Sequence, residues 1–140
     1  MPTKHFFAAL TAQQKMAVLA LFKGADLFTA LALLTARFCG ATIRQRGGVY
    51  MAYGGKLSAL LQRHPLGAMQ AAVVGRVILA GDEACLRQHL RHEWVHVRQF
   101  MRWGALFPAL YFLELLRQVS CGKDAYLCNR FECEARRNEL

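Results

Sequence analysis

Arg91-His92-Glu93-Trp94-Val95-His96 places two imidazoles and a carboxylate at a spacing that can do chemistry on a helix. At about 100° per residue, His92 and His96 share one face, and both can aim a ring nitrogen at a single zinc ion. Glu93 leaves the same helix at an angle suited to a metal-bound water rather than to the metal. A hydrolytic zinc needs three protein ligands and one open position for water. No histidine follows His96, so the candidates for the third ligand are Glu114, Glu132 and Glu134. Glu114 lies in the apolar run Tyr111–Leu116, where a carboxylate needs a partner that zinc would supply. Glu132 stands three residues after Asn129, where a Glu also completes a capping box. Glu134 lies about 200° around the helix from Glu132, so the two cannot do the same job.

The elements that must position these groups are legible from punctuation and period. Asp82 is placed as an N-cap with Glu83 in the first turn, opening a helix that spans Cys85 to Trp103. Leu86, Leu90, Val97 and Met101 gather on its core side. His92, His96, Gln99 and Trp103 form a second stripe, and Arg87, Arg91, Arg98 and Arg102 a third within about 60° of arc. That arginine stripe suits an acidic group, a phosphate or lipid headgroups, or is simply a solvated face. His89 is out of step for a third ligand and reads as surface. Gly104 ends the helix, and Pro108 suits the first turn of the next, which runs Ala109 to Val119. Asn129 is placed as the N-cap of a last helix from Arg130 to about Glu139.

Upstream, Ala71 to Ala80 is rich in β-branched residues and reads as one strand, with Gly75 as a bulge or a close backbone approach. Alternation around Gly47-Gly48 predicts a β-hairpin from Thr42 to Tyr53. Lys56 to Gln62 reads as a short helix, and His64-Pro65-Leu66-Gly67 as a turn carrying a loop histidine. Thr11 and Gln14 resemble a capping box opening a helix through Phe22. Gly24 breaks it, and an apolar segment, Ala25 to Phe38, follows.

The chain has 140 residues, which predicts a single α+β domain, mostly helical. Residues 1–40 form an apolar helical N-terminal segment and 41–140 the metal-binding core. Its net charge is +9, yet its 18 basic residues are scattered without a Lys/Arg block or an aromatic ladder. That argues against dedicated nucleic-acid binding. The odd count of 5 cysteines, with no Cys-x-x-Cys pair, points to reduced thiols in a cytoplasmic setting. The run Phe6–Leu10 is too short for a secretory signal. Lys23, Gly24 and Asp26 interrupt the N-terminal apolar stretch, so it is expected to be buried or to lie against a membrane surface rather than to span a bilayer.

The His92-to-His96 helix, followed after a loop by Glu132-Cys133-Glu134-Ala135, resembles the gluzincin pattern: His-Glu-x-x-His with a downstream Glu-x-x-Ala. It is similar to HtpX-type and CAAX-processing membrane proteases, BlaR-type antirepressor proteases and the small minigluzincins. The segment from Leu79 through NRFECEA also looks like a compact bacterial family with that layout. The resemblance covers roughly Val73 to Arg136. It implies a minimal gluzincin-like domain, with a small sheet whose edge strand precedes the His-Glu-x-x-His helix. It also implies a zinc metalloendopeptidase in which Glu132 is the third ligand, Glu93 the general base and a peptide or protein the substrate. By the same resemblance an extended peptide would pair along Ala71–Ala80, at Val74, Gly75 and Val77. Tyr126, Tyr111 or an arginine would face the oxyanion, with Asn129 as further support. The HtpX-like pattern has an Asp after the Ala, where this chain has Arg136. Glu134, Asn129 or Asp124 would then take over the support of a ligand histidine. Two other expectations compete: a non-proteolytic zinc-binding regulatory domain using the arginine face, and a membrane-surface protein whose motif is coincidental.

Overall fold

The computed structural model describes residues 11–15, 24–63 and 69–139. Most of the expected Thr11–Phe22 helix, the Phe6–Leu10 run and the His64–Gly67 turn lie outside the described residues. The Thr11–Gln14 capping pair is present, with Gln14 N–H donating to Thr11 Oγ1 at 3.2 Å and Thr11 N–H to Gln14 Oε1 at 2.9 Å.

The elements are α1 (Ala25–Phe38), β1 (Thr42–Arg46), β2 (Val49–Tyr53), α2 (Leu57–Gln62), β3 (Ala71–Val74), β4 (Val77–Ala80), α3 (Glu83–Trp103), α4 (Phe107–Ser120) and α5 (Arg130–Asn138). The domain is α+β, and the sheet order is β1-β2-β4-β3. β2 and β4 run parallel, and the two outer pairings are antiparallel. No helix among the described residues is long and apolar enough to cross a membrane.

The alternation of β4 sorts the core into two layers. Val77 and Leu79 point to one face, where they meet Ala32, Ala36, Ala52 and Leu57. Ile78 and Ala80 point to the other, where Val49, Tyr53, Leu86 and Val97 pack. Thus α1 and α2 cover one side of the sheet and α3 the other. Val49, Val77, Ile78 and Val97 are fully buried, each contributing roughly 1.5–3 kcal/mol. A third cluster of Ala25, Phe100, Phe107 and Phe131 ties α1, α3, α4 and α5 together.

One expectation needs correcting. Ala71–Ala80 is not a single strand but a hairpin, β3 and β4, turning at Gly75-Arg76 with Val74 opposite Val77. Gly75 adopts φ +61°, which only glycine takes readily. A Cβ there would stand 2.4 Å from Thr29 Oγ1. The glycine makes room for α1, not for a peptide. The strand leading into α3 is therefore β4, which is central, and Val77 on it is wholly buried. Neither Gly75 nor Val77 can line a substrate. Val74 lies on β3, the edge strand.

Candidate metal centre

α3 starts where the sequence places its cap: Asp82 Oδ1 accepts from Cys85 N–H at 2.7 Å. It ends at Gly104, with φ +61°. Val97 and Leu86 anchor its core side on the sheet. That leaves His92 and His96 facing α5. α5 begins at Asn129, whose Oδ1 accepts from Phe131 N–H at 2.9 Å. Phe131 plugs into the aromatic cluster, and Glu132, next along, is 3 % exposed.

Glu132 does not fold back onto its own cap. Its Oε2 lies 3.0 Å from His92 Nε2 and its Oε1 3.2 Å from His96 Nε2. The two Nε2 atoms are 3.2 Å apart. Tyr111 from α4 donates to Glu132 Oε1 at 2.7 Å. Among the described residues, His92, His96 and Glu132 form the one group placed to hold a metal ion.

The outer nitrogens decide the protonation pattern. His92 Nδ1 meets Glu139 Oε2 at 2.9 Å, and a carboxylate only accepts. His96 Nδ1 meets Gln99 Oε1 at 2.8 Å. Gln99 Nε2 is oriented by two acceptors, the Phe131 carbonyl at 3.0 Å and Glu134 Oε2 at 2.9 Å. The amide oxygen therefore faces His96, and both Nδ1 atoms donate. In the neutral rings both Nε2 lone pairs then point at the same place as a carboxylate. Three such acceptors favour a positive charge between them, either a metal ion or a proton carried on an imidazole Nε2. Ligands at about 2.0–2.1 Å from a tetrahedral zinc stand about 3.3 Å apart; the two Nε2 atoms are 3.2 Å apart, and one ligand atom from each of the three residues lies within 4.8 Å of the others.

Where no ion is bound, protonation of an imidazole supplies that charge instead. Glu132 beside it lifts His92 to about 9. Burial works against charge on His96, but Glu132 and Glu93 outweigh it and its pKa rises. Burial also opposes charge on Glu132, yet the two imidazoles and Tyr111 hold its carboxyl well below the usual range. Burial pushes Glu93 up, and the nearby imidazoles only partly offset this. Tyr126 rises to about 12 through burial and its closeness to Glu132.

The remaining candidates fall outside the ligand set. Glu114 is bound by Arg117 Nε at 2.9 Å, by Gln118 at 2.8 Å and by the Arg130 N–H at 3.3 Å. It steadies the start of α5 instead of binding metal. Glu134 faces Gln99 and Arg102, and so supports His96 through Gln99. Asn129 does not reach the centre. Its amide is engaged by Phe131 N–H and the Tyr111 carbonyl, so it positions α5. Asp124 accepts from the Tyr126 and Leu127 N–H groups in the loop. Arg136 bonds the Leu127 carbonyl. His89 pairs with Gln70 at 2.7 Å. All 5 cysteines are unpaired.

Gln99 and Glu139 are the supporting residues that sequence reasoning missed. Gln99 carried a signal, since it shares the stripe of His92 and His96. Glu139 carried none. Comparison with protein-family models, curated proteins and solved structures finds no match for this chain.

Proposed function

We propose that this chain is a zinc-dependent metallopeptidase of gluzincin type, hydrolysing peptide bonds in a peptide or protein. The observation that supports this reading is the convergence of His92 Nε2, His96 Nε2 and Glu132 at 3.0–3.2 Å, with both histidines anchored through Nδ1. When bound, zinc supplies Lewis acidity and makes a water nucleophilic near neutral pH. His92, His96 and Glu132 would hold it. Glu93 is 6 % exposed and raised above the ordinary carboxylate range, which suits it to take a proton from water and return it to a leaving amine. Tyr126 is half exposed, and its hydroxyl, near Glu132, serves as donor to a developing oxyanion. The unpaired thiols fit a reducing, cytoplasmic setting.

A second reading is a zinc-binding regulatory domain without proteolysis. Supporting it, Arg91 and Arg98 flank Trp94 along an open cleft of about 440 Å³ closed by Asn138 and Glu139. Hydrolysis of an unfolded protein by parent and Glu93→Gln separates the two. The peptidase reading expects chelator-sensitive cleavage that Glu93→Gln loses by at least about a hundredfold while keeping its zinc. Equal rates in parent and variant would refute it.

A further inference from the structure

Two helices are built inside out. α1 buries its small side chains, Ala25, Thr29, Ala32 and Ala36, and exposes its large ones. Leu27, Leu31, Leu34 and Phe38 are 52–88 % exposed and fall within about 60° of arc. Beyond Phe107 in its first turn, α4 buries Glu114 and Gln118 and exposes Phe112, Leu113, Leu116 and Val119. A helix of a water-facing domain normally does the reverse. The two helices start side by side: a Cβ on Gly24, which caps α1, would stand 3.2 Å from Ala105 Cβ, just before α4. Exposed apolar surface on this scale marks a face that something else covers.

Charge selects what covers it. The acidic residues of these helices are turned away and matched: Asp26 pairs with Arg76 at 3.2 Å, and Glu114 with Arg117 at 2.9 Å. Arg37 adjoins Phe38, exposed Lys123 follows α4, and the chain carries +9 overall. A second copy would bring the same positive charge against itself, whereas an anionic surface attracts it. Each helix has 14 residues, about 21 Å in length, which is too short to cross a hydrocarbon core of about 30 Å. We propose that the outward faces of α1 and α4 dock the domain on an anionic lipid bilayer, the leucines seated at the boundary between headgroups and acyl chains.

The test is co-sedimentation with phosphatidylcholine vesicles, with and without phosphatidylserine, over a salt series. The parent is expected to pellet with the serine-containing vesicles and to release as salt rises. Leu31→Glu with Leu34→Glu, or Leu113→Glu with Leu116→Glu, should weaken binding by at least about tenfold. Circular dichroism should stay unchanged, because these side chains are already exposed. Leu60→Glu, exposed on α2, should bind like the parent. A parent that stays in the supernatant overturns the proposal, as does equal loss in Leu60→Glu. A parent that ignores vesicles but forms an oligomer broken by the α1 or α4 changes would make a second copy the occupant, and would also overturn it.

Discussion

Gln99 accepts the Nδ1 proton of His96 at 2.8 Å, and Glu134 in turn holds Gln99 at 2.9 Å. One residue on α3 thus fixes the tautomer of a candidate ligand, and one on α5 fixes that residue. Groups in this position commonly change metal affinity by about 10–100-fold. Gln99→Leu is expected to weaken zinc binding by that amount in competition with a chromophoric chelator. Gln99→Glu still accepts from Nδ1 but sets its second oxygen against Glu134 and the Phe131 carbonyl, so it should recover little. Equal affinity for parent and Gln99→Leu would show that the contact does not position His96.

Glu114 yields a prediction in which pH decides the sign. Arg117 beside it, helped by Gln118 and the Arg130 N–H, holds its carboxyl at about 2, below an ordinary value of 4.5. A group depressed on folding stabilises the fold above its unfolded pKa and loses that contribution as pH falls through the folded one. Glu114→Ala also leaves the buried Gln118 amide and the Arg130 N–H without their acceptor, at a cost of about 1–3 kcal/mol. The difference in thermal midpoint between parent and variant should be full at about pH 6 and shrink from about pH 4.5 towards pH 2. A difference that is flat with pH would contradict this.

Gly75 tests the corrected sheet. Gly75→Ala puts a methyl against Thr29 in a left-handed backbone and should destabilise by more than about 1 kcal/mol in urea unfolding. Were Gly75 a bulge open to a peptide instead, alanine there would be nearly neutral.

The parts of the fold legible in the sequence were those fixed by local backbone chemistry. Asp82, Gly104, Pro108, Asn129 and the Gly47-Gly48 turn need only their neighbours to act, and each sits where its type predicts. Period failed where both faces are buried: Val77 to Ala80 lie between helices on either side and show no polar alternation, so the Gly75-Arg76 turn was hidden inside an apolar run. Apolar period is also a poor guide on α4, where Phe112, Leu113, Leu116 and Val119 are exposed. Its inward face carries Glu114 and Gln118 beside Phe107, and the partners of these two polar groups come from their own helix and from α5. Within the centre, His92, Glu93 and His96 were fixed by spacing on one helix. Glu132 was separable from Glu114 and Glu134 only through resemblance, because no spacing rule spans the 36 positions from His96 to Glu132.

The most direct test is the zinc content of the purified protein, measured by atomic emission for parent, Glu132→Ala and Glu114→Ala. The prediction is one zinc per chain in the parent, retention in Glu114→Ala and loss in Glu132→Ala. Full zinc in Glu132→Ala, or none in the parent after purification with added zinc, would contradict the metal centre described by His92, His96 and Glu132.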